Sequence, residues 1–279
     1  MSRSLPPAVL VAAALTLAIF AAPAVALERT PTHVALSWPG DPRTTQSFCW
    51  RTLPEIEGTV VQLTLALGFD GFERGARIQV EGASRAWEPI AGDGGDPARI
   101  HEAEVSGLLP DTAYIYRIGS GAPDEWGEPA TFVTAPDPDI PVTFLHLTDP
   151  QSRARKHFEL WARLLSRARG DHPQARFMLV TGDLVDQGYV QRQWDLFFDT
   201  AQPDLASLPI APAIGNHDVL KDKTAEHYRS HFHLPRNGPE GMEEEAYSFD
   251  YGPVHVAVLD TERELAAQAE WLREDMADV

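Results

Sequence analysis

Cysteine is almost absent: Cys49 is the only one in 279 residues. An internal disulfide is therefore excluded, and stability has to come from packing. Basic residues are also scarce. Lys and Arg number 23 against 41 Asp and Glu, a formal net charge of -18. A surface that acidic disfavours nucleic acid and anionic lipid as partners; it favours divalent cations, although most of such charge is simply a solvated face. A hydrophobic run of membrane-spanning length is missing too. Ala8 to Phe20, interrupted only by Thr16, is shorter than the roughly 20 residues a spanning helix needs, so no stable membrane span is expected. What is plentiful is apolar material. Hydrophobic residues make up 43% of the chain, ample for a packed interior, and wholesale disorder is excluded.

The start of the chain reads as an export signal. Arg3 supplies a positive beginning, Ala8 to Phe20 the apolar stretch, and Ala24-Val25-Ala26 a small-x-small cleavage site. Residues 1–26 are accordingly expected to be removed, with Leu27 as the mature N-terminus and a periplasmic or secreted location. No lipobox cysteine follows.

Residues 27–136 carry short alternating runs, 33–38, 47–51, 60–65, 76–80, 100–105, 113–118 and 130–133, punctuated by Gly, Pro and Asp. About seven such strands predict a β-sandwich. Pro110-Asp111 turns the chain ahead of Tyr114 and Tyr116, which share a face; a buried Tyr hydroxyl there calls for a nearby backbone acceptor, as in a tyrosine corner. Trp50, Trp87 and Trp126 suit a carbohydrate platform in principle, but core or interdomain packing is the commoner use of such residues. Prolines at 136, 138 and 141 make residues 137–141 a stiff linker.

The second domain, 142–279, changes rhythm. Apolar, β-branched runs at Val142 to Leu147, Phe177 to Val180 and Ile210 to Ile214 each stop at an oxygen-bearing side chain: Asp149, Asp183 and Asn216. Helices are predicted between them, 156–169 with Phe158, Trp161, Leu164 and Leu165 on one stripe, and 190–200 with Trp194, Phe197 and Phe198. A short helix over 225–232, a hairpin of strands 246–250 and 254–260, and a helix over 264–276 follow. This is an α/β unit with buried strands. Ligands bind at the carboxyl edge of such sheets, and like charges gathered there need a cation.

Three stretches, Asp149-Pro-Gln151, Gly182-Asp-Leu-Val-Asp-Gln-Gly188 and Gly215-Asn-His-Asp218, resemble the calcineurin-like metallophosphoesterase superfamily, which includes the purple acid phosphatases. That family's ordered signature is D-x-[H or G], G-D-x-x, G-N-H-[D or E], a lone His, then G-H-x-H. The first three are present in order. The last two are absent, so the chain is expected to be part of a longer protein with an unfinished sheet. The first domain, through Gly107 to Arg117, Trp126 and Thr131 to Thr134, resembles the fibronectin-III-like domain that precedes the catalytic domain in purple acid phosphatases. The segments His231 to Gly241 and Tyr247 to Gly252 are similar to this family's bacterial secreted members. The implied architecture is an all-β sandwich followed by an α/β metallophosphoesterase domain incomplete at its C-terminus.

The resemblance implies two metal ions, with Asp183 as the bridge, Asp149 on the first metal and Asn216 on the second. Their oxygen donors suit Fe, Mn, Zn or Mg. It further implies hydrolysis of small phosphomonoesters by metal-bound hydroxide, with His217 protonating the leaving alkoxide or positioning the phosphate. Two positions depart from the family. Asp186 stands where purple acid phosphatases place a ferric-iron-ligating Tyr; in the phosphoprotein phosphatase branch an Asp there hydrogen-bonds the G-N-H histidine. Asp186 is therefore either the partner of His217 or a metal ligand. Gln151 replaces an expected histidine, so it is a weak ligand or water takes its place. Two further readings stand: a phosphodiesterase, and a non-catalytic metal- or ligand-binding module. Of the other histidines, His146 and His255 read as core or interface residues. His227, His231 and His233 read as part of a polar connector, with a zinc site as the less favoured alternative.

Overall fold

The computed structural model describes residues 27–88, 94–220 and 224–279; the expected export signal, 1–26, lies outside them. The first unit consists of two four-stranded antiparallel sheets. One has the order β1-β2-β6-β5, with β1 at Thr32–Ser37, β2 at Thr45–Thr52, β6 at Ala98–Ser106 and β5 at Ala83–Trp87. The other has the order β4-β3-β7-β8, with β4 at Ile78–Glu81, β3 at Val60–Leu65, β7 at Ala113–Gly119 and β8 at Ala130–Val133. Leu36, Phe48 and Trp50 from the first sheet meet Val61, Leu63, Tyr116 and Phe132 from the second in one apolar core. The eighth strand, β5, escaped the sequence pattern because it is a short strand at a sheet edge whose outward positions are exposed. Tyr114 meets the backbone in the sense opposite to that expected: its hydroxyl accepts the Leu109 N–H at 2.9 Å instead of donating to a carbonyl.

The second unit begins with a parallel sheet of order β11-β10-β9: β9 at Thr143–Leu147, β10 at Ala175–Thr181 and β11 at Ile210–Ala213. Helix α1 (Arg155–Asp171) joins β9 to β10, and α2 (Gln191–Leu205) joins β10 to β11. They pack through Trp161 stacked on Phe197, with 5.6 Å between centroids. Phe158, Trp161 and Leu165 are the buried face of α1. Leu164, expected on that stripe, is 56% exposed, because the turn of the helix carries it past the contact with α2. Helix α2 outruns its expected end and holds Pro203 in its last turn. The chain then forms α3 (Glu226–Arg229), the hairpin β12–β13 (Tyr247–Tyr251 and Val254–Val258) and α4 (Leu265–Asp275).

The two units share an interior. Trp38, just past β1, lies 5.0 Å from Phe249, 5.4 Å from Tyr251 and 5.7 Å from Phe177, ring centre to ring centre. The Tyr116 hydroxyl donates to the Ala206 carbonyl at 2.6 Å, Ser47 Oγ donates to the His233 carbonyl at 2.7 Å, and Arg51 reaches Ser230 Oγ at 2.6 Å. Strand β2 is therefore buried almost throughout rather than on alternate positions, since both its faces are covered.

This corrects the reading of 227–233 as a polar connector. His227, His231 and His233 are all buried, because the first unit supplies partners to His227 and His233 and helix α2 covers His231. His227 meets the Trp87 ring edge-on at 5.2 Å, and His233 Nε2 lies 2.7 Å from Glu104 Oε1. His231 stacks on Trp194 and Phe198. Trp50 and Trp87 are likewise buried, and Trp126 lies under the Arg117 guanidinium at 4.3 Å, so no exposed aromatic platform is formed. His146 is exposed, within 3.1 Å of Thr181 Oγ1, and His255 is held by Asp250 and Asp275, each at 2.8 Å.

Candidate active site

Parallel pairing in register brings the ends of β9, β10 and β11 to one edge. The loops leaving that edge carry Asp149 to Gln151, Gly182 to Gly188 and Gly215 to Asp218. Main-chain hydrogen bonds lace them together: Asp149 N–H to the Gly182 carbonyl at 3.3 Å, Gln151 N–H to the Asp183 carbonyl at 3.0 Å, and Gly188 N–H to the His217 carbonyl at 2.9 Å. Asp149 and Asp183 both have left-handed backbones, with φ of 52° and 54°. Asp tolerates that region better than most residues, and strain of this sort gathers where a side chain must be aimed.

Two glycines make the crossing possible. A Cβ on Gly215 would stand 2.2 Å from Asp183 Oδ1 and 2.3 Å from the Asp183 nitrogen; one on Gly188 would stand 1.5 Å from the Asp218 carbonyl oxygen. The loops therefore touch backbone to backbone. Asp183 Oδ1 accepts the His217 N–H at 3.0 Å, which ties the expected bridging carboxylate to the Asn216-His217 turn.

Asp218 does the clamping from beneath. It is buried; its Oδ1 accepts the Val185 N–H at 3.1 Å and its Oδ2 the Gly215 N–H at 3.0 Å. Burial pushes its pKa up to about 7 against the pull of these hydrogen bonds. The motif containing it was visible in the sequence, but nothing there marked this residue as the link between two loops.

His217 and Asp186 come together, though not through the expected atoms. The contact at 2.8 Å joins His217 Nδ1 to the main-chain carbonyl of Asp186, while the carboxylate oxygen Oδ1 stands 3.7 Å away. Asp186 Oδ2 is instead taken by the Nε of Arg153. A carbonyl can only accept, so Nδ1 carries a proton and Nε2 is left for proton transfer. The His217 pKa is raised, first by this hydrogen bond and then by the charges of Asp183, Asp186 and Asp218, with burial opposing. Arg153 is a second residue that sequence reasoning missed, since an ion pair across 33 positions has no local signature.

The donors at this edge suit part of a metal centre. Gln151 Oε1 is buried with no hydrogen-bond partner, an acceptor in need of a cation or a donor. Asp149 and Asn216 are exposed at the same edge, and a hollow of about 420 Å³ runs from Asp149 and Gln151 to His157 and Trp161. These oxygens fit hard or borderline metals. Among the described residues, no group of three or more His, Cys, Asp or Glu side chains converges as a complete metal cage; the residues present make up part of an oxygen-donor set. A larger hollow, about 930 Å³, is lined by Pro39 to Arg43 and by Arg236, His255 and Asp275, with none of the candidate site residues.

Residues 31–134 match the family described as purple acid phosphatase, N-terminal domain, and residues 142–277 match calcineurin-like phosphoesterase. Residues 142–277 form a calcineurin-like phosphoesterase domain behind a purple-acid-phosphatase-type N-terminal domain. Among curated relatives, purple acid phosphatase 22 of Arabidopsis thaliana is 26% identical over 189 residues, 65% of this chain and 41% of that protein. Acid phosphatase type 7 of Homo sapiens is 27% identical over 254 residues, 83% of this chain and 49% of that protein. The solved structure of a purple acid phosphatase from yellow lupin (Lupinus luteus) seeds shares the fold, with a TM-score of 0.71 over 90% of this chain and 48% of that one at 17% identity. This phosphoesterase chain thus spans less than half the length of the curated relatives cited. No helix among its described residues is long and apolar enough to cross a membrane.

Proposed function

We propose that this protein is an exported phosphoesterase that hydrolyses small phosphomonoesters at a centre of two metal ions. Family membership supports phosphoester chemistry. The observation that carries the site is the delivery of Asp149, Asp183 and Asn216 by three parallel strands to one edge, with the His217 N–H fixed on Asp183. In this reading Asp183 would be shared by both metals, Asp149 and Gln151 would hold one and Asn216 would hold the other. When bound, the metals supply a Lewis-acid grip on the phosphoryl group and an activated water near neutral pH. His217, held in one orientation by the Asp186 carbonyl, protonates the leaving oxygen through Nε2. The Arg3-to-Ala26 pattern supports export.

Asp183→Asn tests this directly. Asn tolerates the left-handed backbone as Asp does, so the substitution removes charge with little change of shape. Elemental analysis of the full natural protein is expected to show loss of most bound metal, and hydrolysis of p-nitrophenyl phosphate is expected to fall with it; unchanged metal content would remove Asp183 from the bridging role. A second reading, a metal-binding module without turnover, draws on the lack of a converged three-residue acid or histidine cluster among the described residues. In that case wild-type protein would take up metal and leave the ester intact.

A further inference from the structure

A phosphate ester approaching this edge meets Asp149, Asp183 and Asp186 in a chain of net charge -18. Among the described ion pairs, Arg153 is the one Lys or Arg side chain on any of these carboxylates. It lies four residues after Asp149 on the loop that also carries Gln151. Its side chain is 69% exposed, and its Nε donates to Asp186 Oδ2. An ion pair that open contributes little to stability. What it does is orient. Asp186 holds Arg153 with its carboxylate and His217 with its carbonyl, so one residue sets the aim of both a guanidinium and an imidazole. With Nε occupied, the two terminal nitrogens of Arg153 have no described partner and form the fork that suits a pair of phosphoryl oxygens.

We propose that Arg153 binds the terminal oxygens of the substrate phosphoryl group, with Asp186 as its positioning residue, and thereby favours phosphomonoester dianions over phosphodiesters. The proposal rests on the phosphoesterase reading and adds the residue that grips the phosphoryl group and selects for monoesters. A monoester presents three terminal oxygens and a double charge; a diester presents two and a single charge. A cation held beside the centre therefore gains more from the first. Because the carbonyl and not the carboxylate of Asp186 holds His217, Asp186→Asn loosens Arg153 and leaves the imidazole in place.

The experiment uses the full natural protein loaded with metal, as wild type, Arg153→Ala, Arg153→Lys and Asp186→Asn. Calorimetric titration with inorganic phosphate is read alongside KM and kcat for p-nitrophenyl phosphate and bis(p-nitrophenyl) phosphate, and metal content is measured in parallel. Arg153→Ala is expected to weaken phosphate binding by roughly 10- to 100-fold, the worth of a charge-assisted hydrogen bond. It should raise the monoester KM by a similar factor, with kcat and the diester KM moving by less than about threefold. Lys should restore part of the loss, and Asp186→Asn should show a smaller rise in monoester KM than Arg153→Ala. Unchanged phosphate affinity in Arg153→Ala, or loss of metal from it, overturns the proposal, and equal rises in both KM values overturn the selectivity. If the wild type cleaves neither ester but Arg153→Ala still weakens phosphate binding, the grip of Arg153 stands and the phosphoesterase reading falls; a wild type that binds no phosphate overturns both.

Discussion

Asp218→Ala is expected to destabilise the protein by about 2–4 kcal/mol, a large share of a typical domain's stability. Its two carboxylate oxygens accept the N–H groups of Val185 and Gly215 from two different loops. Alanine leaves both donors without acceptors inside the protein, at about 1–3 kcal/mol each, and relief of the carboxylate's own burial offsets only part of that. Asp218→Asn should cost about half as much, since its amide oxygen can still accept one N–H while its NH2 opposes the other. Urea unfolding followed by circular dichroism measures both. Equal stability of wild type and the Ala variant would show that the loops hold each other without the clamp.

Acid is expected to weaken the fold through His101. This residue sits in the middle of β6, wholly buried, its ring stacked on Trp50 at 5.0 Å and its two nitrogens each 2.8 Å from a hydroxyl, Thr52 and Thr59. Burial first, and then the charge of Arg99, lower its pKa to about 4. In the unfolded chain a histidine titrates near 6.5. Between about pH 6.5 and 4 the unfolded chain therefore binds a proton that the folded protein refuses, so stability is fully present above that window and declines as the pH falls through it. The loss reaches about 3 kcal/mol at the acid end, taking about 1.4 kcal/mol per pH unit. His101→Gln cannot titrate. It should be less stable than wild type at pH 8, and that gap should shrink by about 3 kcal/mol by pH 4. A gap independent of pH would mean that the imidazole takes up its proton in the folded state. Comparing variant with wild type cancels the other titrating groups, among them Asp195, which burial raises to about 6 and which acts in the opposite sense.

The carboxyl-edge motifs were legible because each is local. An apolar run predicts a buried strand, and the oxygen side chain that ends it lies where parallel strands present their ends. Residue chemistry that depends on distant contacts was not. His231 reads as polar until Trp194 and Phe198 cover it. Asp218 shows its role only when Val185, 33 positions earlier, is brought onto it. The atom that meets His217 was not legible either, because the contact is made by the Asp186 main chain, and every residue has the same carbonyl. The strand β5 was missed for a related reason: an exposed edge strand carries little apolar alternation to detect.

Trp38 belongs to the β unit by chain order and to the phosphoesterase unit by contact. The border drawn by the prolines between β8 and β9 is therefore not a seam in the molecule. Were residues 27–136 excised, Phe177, Phe249 and Tyr251 would face water where an indole had been, and His227 and His233 would lose Trp87 and Glu104. The β unit thus serves as one wall of its neighbour's interior. An exchange of β units between relatives by recombination would have to carry matching residues on both sides of that wall, so the two halves of this chain are bound to change together.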